Sequence, residues 1–321
     1  MAHELDMSNN RANMAYVGET PWHGLGFALP EEAPIEVWRE AAGFNWEVKK
    51  APIEYVAEGF DVQTIPKRSA LYRSDTGAPL SVVSDMYKVV QPAEVMDFFA
   101  EVCKVGGFKM ETAGMLKSGA VYWALARTGS ELNLGGKDII LPYMLLATSC
   151  DKSLSTTAML TSTRVVCNNT LTYAVEGKNS AALRIPHSTG FDPKRVMAEF
   201  GLIDGSWEAF GKKAKQLVET RVSKEQMIQF YMELMYPNQS DMDITVKRPA
   251  LDALIATYEL GVGQQTKTAN GTAWGLVNAV TRYVDHDKKS GSRDNRLTSA
   301  WFGAGARLKQ AAWDHAMDLV A

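Results

Sequence analysis

The sequence predicts an α+β fold, a strand-rich body with packed helices followed by a helical C-terminal part. Three observations carry this. Short β-rich segments separated by turn signals recur between residues 51 and 186. After Phe191 the pattern changes to longer helical stretches, opened by Asp192-Pro193, a cap followed by a first-turn proline. Hydrophobic residues make up 46% and charged residues 22% of 321 residues, enough apolar surface to offset the entropy of ordering one large domain or two ordinary ones. We place the α+β body, with an acidic N-terminal segment, at residues 1–190 and the helical region at residues 191–321.

The elements follow in order. Pro34 opens a short helix through Ile35, Val37, Trp38 and Ala41, ended by Gly43. Ala70–Arg73 and Leu80–Ser84 read as strands joined by the turn Asp75-Thr76-Gly77-Ala78-Pro79. From Pro92 to Cys103, Val95, Phe98, Phe99 and Val102 recur at helical spacing, before Gly106-Gly107 breaks the chain. Phe108–Leu116, Ala120–Arg127, Pro142–Ser149 and residues 153–166 read as strands, 165–175 as a helix ending at Gly177, and Leu183–Pro186 as a last short strand. Helices are predicted over 192–220, 223–236, 248–260, 271–284 and 298–320. No repeat of solenoid period is present.

Charge is unevenly spread. Up to Pro66 there are eleven acidic and four basic residues, a local charge of −7, so the total of −3 leaves +4 for the remainder. The bland reading is a solvated surface; the sharper one is an acidic segment that packs over, or competes for, a basic surface elsewhere. Three scattered cysteines give neither a disulfide framework nor a cysteine zinc site. With no secretory signal and no apolar run of spanning length, a soluble protein of a reducing cytoplasm is expected.

The usual catalytic signatures are missing: there is no phosphate-binding GxxxxGK[ST], no GxGxxG after a strand, no HExxH and no GxSxG. Asp285-His286-Asp287 is the most metal-like cluster, but a helix C-terminus whose histidine meets the dipole is the better reading. Asp151-Lys152 lacks a partner carboxylate. Cys150 and Cys167 are candidate nucleophiles only where a histidine or helix N-terminus lowers their pKa, and core packing is favoured. No cofactor and no metal are expected, and the balance leans away from an enzyme.

Several segments together resemble a known family: Met1-Ala2-His3-Glu4 with Pro21-Trp22-His23-Gly24-Leu25-Gly26, then Arg164-Val165-Val166-Cys167-Asn168-Asn169-Thr170-Leu171, then Gly271-Thr272-Ala273-Trp274 with Asn278-Ala279-Val280-Thr281 and Asp285-His286. Their order is similar to that of the phage/plasmid-like protein family of unknown function, the domain of unknown function 932 group. A His-Asp-Gly-Ser type turn is expected before the middle motif; here it reads Cys150-Asp151-Lys152-Ser153, so no histidine role carries over to position 150. The resemblance implies a setting among phage or plasmid replication and recombination genes. The strand-then-helix plan also resembles, by analogy only, Rad52-like and phage-type strand-annealing proteins.

That resemblance implies a protein that binds single-stranded DNA in recombination or replication, annealing strands without nucleotide hydrolysis, as a homo-oligomer in the host cytoplasm. Such a groove needs cations and small polar donors for phosphates, with aromatic platforms for bases. The candidates are Arg127 at a strand end, Lys152 and Ser153 in a turn, Arg164 leading into a helix N-terminus, Asn168 and Asn169, and the basic helical stretch Lys212, Lys213 and Lys215. A buried structural network is an equal reading for Asn168-Asn169. Trp123 and Tyr122 fall on opposite faces of one strand and suit a core, while Lys288, Lys289, Arg293 and Arg296 suit a solvated loop that would also serve non-specific phosphate contact. Trp22-His23-Gly24 reads as an anchored turn. The alternatives are a phage factor that binds a host protein, which suits the acidic head, and a metal-dependent nuclease using Asp285 and Asp287.

Overall fold

In the computed structural model the described residues are 5–7, 11–21, 24–129, 131–164, 169–172, 182–185, 192–199, 203–237, 248–288 and 296–320. Their architecture is mixed α+β, strand-rich first and helical after residue 192.

The main sheet is built from β1 (Met14–Val17), β2 (Phe27–Leu29), β6 (Lys109–Leu116), β7 (Val121–Arg127), β8 (Leu132–Gly135), β9 (Asp138–Ser149), β10 (Thr156–Arg164), β11 (Asn169–Thr172) and β12 (Ala182–Ile185). Its order is β11-β10-β9-β7-β6-β1-β2, with β12 also on β10 and β8 also on β9. A second sheet holds β3 (Val48–Val56), β4 (Val62–Arg73) and β5 (Pro79–Ser84). β9 begins at Asp138, earlier than the sequence suggested, and Pro142 sits inside it. The Pro142 carbonyl accepts from the Thr128 N–H (3.1 Å). A strand residue's N–H and C=O point the same way, so the missing N–H of Pro142 faces the gap between β7 and β8 and costs no bond to β10.

Alternation along β7 separates two buried clusters. Tyr122 lies on the face packed with Phe44 and Trp46, at ring-centroid distances of 5.7 and 6.3 Å. Trp123 lies on the opposite face, 5.4 Å from the Trp301 ring. Both are core side chains, as the sequence favoured. The first face is covered by α1 (Ile35–Ala41), α2 (Pro92–Gly106) and the second sheet; α2 starts at Pro92 and stops at Gly107, whose φ of +67° lets the chain turn out of the helix. The same cluster continues without a break into the helical part, through Phe210, Tyr231, Leu254, Trp274, Val277 and Ala316.

That part comprises α3 (Pro193–Glu199), α4 (Ile203–Glu219), α5 (Lys224–Met235), α6 (Pro249–Leu260), α7 (Ala273–Arg282), α8 (Arg296–Phe302) and α9 (Ala304–Asp318). Two predicted long helices are each divided: 192–220 becomes α3 and α4, and 298–320 becomes α8 and α9, broken at the extended Gly303. α7 ends in a π-helical turn over Tyr283–Asp287.

One expectation is overturned. The helix predicted over 165–175 is absent at residues 169–172, which form β11 and pair antiparallel with β10, Thr161 opposite Thr172 and Arg164 opposite Asn169. The β-branched Thr170 and Thr172 alternate with Leu171, and the open edge of β10 supplies the partner that local helical spacing could not foresee. No helix among the described residues is long and apolar enough to cross a membrane.

Candidate nucleic-acid interface

Strand register sorts the sequence-predicted residues. Lys109, Arg127, Tyr143 and Thr161 stand directly opposite one another across β6, β7, β9 and β10, a single row on the Trp123 face. In that row Tyr143 donates its hydroxyl to Glu111 Oε2 (2.6 Å), and Arg127 Nη1 lies 3.8 Å from Glu111 Oε1. Burial and the Glu111 carboxylate push the Tyr143 phenol well above its ordinary value. Arg127 therefore sits beside a carboxylate at a strand end and remains about one-third exposed.

Arg164 ends β10 opposite Ile140, a register position on the other face of the sheet from Arg127. Residues 169–172 of the predicted helix are strand, paired with β10 from Arg164 opposite Asn169, so they supply no helix turn to an anion there. Asn168 lies outside the described residues.

Lys152 and Ser153 sit in the β9–β10 turn, at the other end of the sheet. Six residues of β9 separate that end from Tyr143, about 20 Å of strand. The turn is fastened to the second sheet: Lys152 Nζ donates to the Val82 carbonyl (3.0 Å), Ser81 Oγ to the Asp151 carbonyl (3.3 Å) and Tyr87 to the Cys150 carbonyl (3.2 Å). The Ser153 N–H donates to Asp151 Oδ1 (2.9 Å), closing the turn, and Lys152 holds a left-handed φ of +70°.

Lys212, Lys213 and Lys215 are exposed on α4, while Phe210, Ala214 and Leu217 of the same helix are buried. Helical period sets this division, because the buried residues recur at three- and four-residue spacing. α4 lies over β8, near the Arg127 end of the sheet, and Gly211 leaves room there for Leu132, whose methyl a Cβ would meet at 3.4 Å. One turn before the lysines, three rings stack nearly parallel: Trp207 on Phe210 (5.3 Å, 14°) and Phe210 on Trp313 of α9 (5.2 Å, 14°). Trp207 and Trp313 are half-buried. Sequence reasoning missed this stack. Its first pair was legible as Trp207 and Phe210 at helical spacing, but Trp313 arrives from a helix a hundred residues away.

Cys150 is buried, and Asp285 and Asp287 lie beside cations. Burial pushes the Cys150 thiol up to about 11 and the Cys103 thiol up to about 12, so both stay protonated near neutrality. Cys167 lies outside the described residues. In a Cys167→Ser background, we expect a soluble thiol reagent at pH 8 to leave Cys103 and Cys150 unmodified in the folded protein and to modify both on unfolding. Stoichiometric modification before unfolding would contradict this assignment. Asp285 is 2.9 Å from Lys309 Nζ and nearly fully buried with it, and Asp287 is 3.7 Å from Arg282 Nε. No group of three His, Cys, Asp or Glu among the described residues is arranged to hold a metal ion. Gly24, beside the predicted anchored turn, has φ of +68° and donates its N–H to the Pro21 carbonyl (2.8 Å); Trp22 and His23 lie outside the described residues.

Residues 79–301 match the family described as a domain of unknown function, DUF932. The chain belongs to this family. Neither a curated protein nor a solved structure matches the chain. The DUF932 span runs from β5 into α8, so it holds most of the main sheet and all of α4, and leaves out β3 and β4. Within it, the Gly271-Thr272-Ala273-Trp274 motif is a helix start. Thr272 Oγ1 accepts from the Gly275 N–H (3.1 Å) as cap of α7, and Trp274 Nε1 reaches the buried Asp138 Oδ2 (3.3 Å), which also accepts from the Thr268 hydroxyl. Gly275 has no alternative there, since a Cβ would lie 2.1 Å from the Ala269 carbonyl oxygen.

Proposed function

We propose that this DUF932 protein binds single-stranded DNA, acting in phage or plasmid recombination or replication by holding strands for annealing without nucleotide hydrolysis. The observation that carries the reading is α4: exposed Lys212, Lys213 and Lys215 directly follow the Trp207–Phe210–Trp313 stack. Cations beside half-exposed aromatic rings are what a sequence-tolerant single-strand site combines, phosphates meeting the ammonium groups and a base extending the stack. Arg127 stands at the same end of the sheet as α4 but on the opposite face, so the reading rests on α4 and not on the Arg127–Glu111–Tyr143 group. The likeness to Rad52-like annealing proteins remains an analogy of element order alone.

Fluorescence polarisation of a labelled oligonucleotide between 50 and 200 mM salt tests this. Neutralising Lys212, Lys213 and Lys215 together with glutamine is expected to flatten the log–log salt dependence by about 2, from roughly 0.7 per phosphate contact on a single strand. Trp207→Leu should weaken binding by about 1–3 kcal/mol, the usual value of one base–aromatic stack. No binding at 50 mM salt, or an unchanged slope in the triple variant, rejects the reading.

A further inference from the structure

The hairpin of β3 and β4 extends beyond the body. β5 covers β4 only as far as Arg68, and among the described residues β3 pairs with β4 alone, so residues 53–67 form a ribbon two strands wide. A two-stranded ribbon is marginally stable by itself in water. This one is also apolar where it is most exposed. Val56 and Phe60 are each 72% exposed, and Tyr55, Val62 and Ile65 are exposed beside them. Where the ribbon joins the body, the sheet's outer face adds Val82 and Met86, both exposed. Isolated surface apolar residues need no explanation, but a continuous set along one projecting arm marks an interaction surface.

Charge along the arm selects the partner. The tip carries Glu58 and Asp61, with Glu54 midway along the arm opposite Thr64; the foot carries Lys67 and Arg68. Among the described residues none of these five takes part in an ion pair within the chain. Asp61 precedes β4 and Lys67 lies in the bulge opposite residue 53, so the two are separated by the length of about four β3 residues, about 13 Å. An arm that is acidic at one end and basic at the other is complementary to itself turned end for end. A nucleic acid backbone would be repelled by the tip, and a uniformly charged peptide would match only half the arm.

We infer that the ribbon is a self-association arm, pairing two copies of this chain about a two-fold axis. The tip of each ribbon lies over the foot of the other, Glu58 and Asp61 facing Lys67 and Arg68, with Phe60 covered by the Val82–Met86 patch of the second copy. The contact is isologous, so each is made twice. It is face to face rather than edge to edge. Pro52, Pro66 and the bulge between Pro52 and Glu54, where Lys67 adopts a φ of +58°, interrupt both free edges against open-ended strand addition. The arm lies outside the DUF932 span, and its pairing does not depend on the nucleic-acid reading.

Sedimentation velocity of the full chain over a micromolar dilution series, without nucleic acid, decides it. The wild-type chain should populate a species of twice the chain mass. Reversing the tip (Glu58→Lys with Asp61→Lys) or the foot (Lys67→Glu with Arg68→Glu) should each weaken the dimer at least about tenfold, because like charges then face each other. A mixture of tip-reversed and foot-reversed chains should associate, and a chain carrying all four substitutions should recover the wild-type dimer. Recovery cannot come from a misfolded variant. Phe60→Ser should weaken the dimer with all charges intact. A wild-type chain that stays monomeric, reversals without effect, failure of the four-fold variant to recover, or association only with oligonucleotide each overturns the inference.

Discussion

Arg73→Leu is expected to destabilise the folded protein by about 3–5 kcal/mol, the usual cost of breaking one side of a buried ion pair. Arg73 is 2% exposed. It bonds Asp6 Oδ2 through Nη1 (2.7 Å), Asp75 through Nε and Nη2 (2.9 and 2.8 Å) and the Ser118 carbonyl (3.1 Å), and its guanidinium lies 4.3 Å over the Trp46 ring. Asn13 Nδ2 also donates to Asp6 Oδ2 (2.6 Å). One side chain thus ties the N-terminal segment, the second sheet and the β6–β7 turn. Even Gly119 in that turn is required, since a Cβ at φ +89° would lie 2.5 Å from Arg73 Nη1. Leucine leaves a 3%-exposed carboxylate at Asp6 without its cation. Asp6→Leu in the same chain should recover part of the loss, because removing both charges costs less than removing one. Urea melts measure both; a loss below about 1 kcal/mol for the single variant contradicts a structural role.

The same network fixes a pH dependence. Bonding to Arg73 holds the Asp75 carboxyl below the ordinary carboxylate value. The unfolded chain therefore takes up this proton more readily than the folded one. The contribution is fully present above the unfolded value of about 3.9 and is lost as pH falls through the lower folded value. Arg73→Leu should flatten that acid limb as well as lower stability at neutral pH.

Trp274→Ala is expected to cost about 3–5 kcal/mol, as for other buried tryptophans cut to alanine. The ring is 2% exposed in the cluster that joins the helices to the main sheet, and its indole N–H is one of the donors to the fully buried Asp138 at the start of β9. Trp274→Phe separates the two contributions: it keeps most of the packing and removes the donor, so a smaller loss of about 1–3 kcal/mol is expected from the less satisfied carboxylate. Thermal or urea unfolding distinguishes them. Equal effects of the two substitutions would show that packing at this position is negligible. One of the motifs that carried the family resemblance is thus a joint between β9 and α7.

Much of the candidate interface was visible as residue types and little of it as a place. Lys212, Lys213 and Lys215 read as a basic helical stretch, and they are exposed on a helix as that reading requires. Their neighbours were not legible, because Trp313 lies far along the chain from Trp207. Arg127 and Arg164 were grouped by chemistry, yet strand register puts them on opposite faces. Lys152 read as a phosphate contact from its turn; the Val82 carbonyl it holds belongs to a different sheet. The acidic head reads as −7 in the sequence. In the structure one of its members, Asp6, is buried against Arg73, and another, Glu31, lies 4.0 Å from Lys109.

By itself the sequence determined the α+β class, the short helix α1, the α2 helix with its buried Val95, Phe98, Phe99 and Val102, the strands β6, β7 and β10, and the opposed faces of Tyr122 and Trp123. These follow from period and punctuation, which act over a few residues. Tertiary structure decided the pairing of β11 with β10, the docking of β1 and β2 on the far edge, the burial of Arg73, and the bare ribbon of β3 and β4. Each depends on which distant segment supplies a partner or fails to supply one. A strand's own residues state which faces it has, and only the rest of the chain states what lies against them.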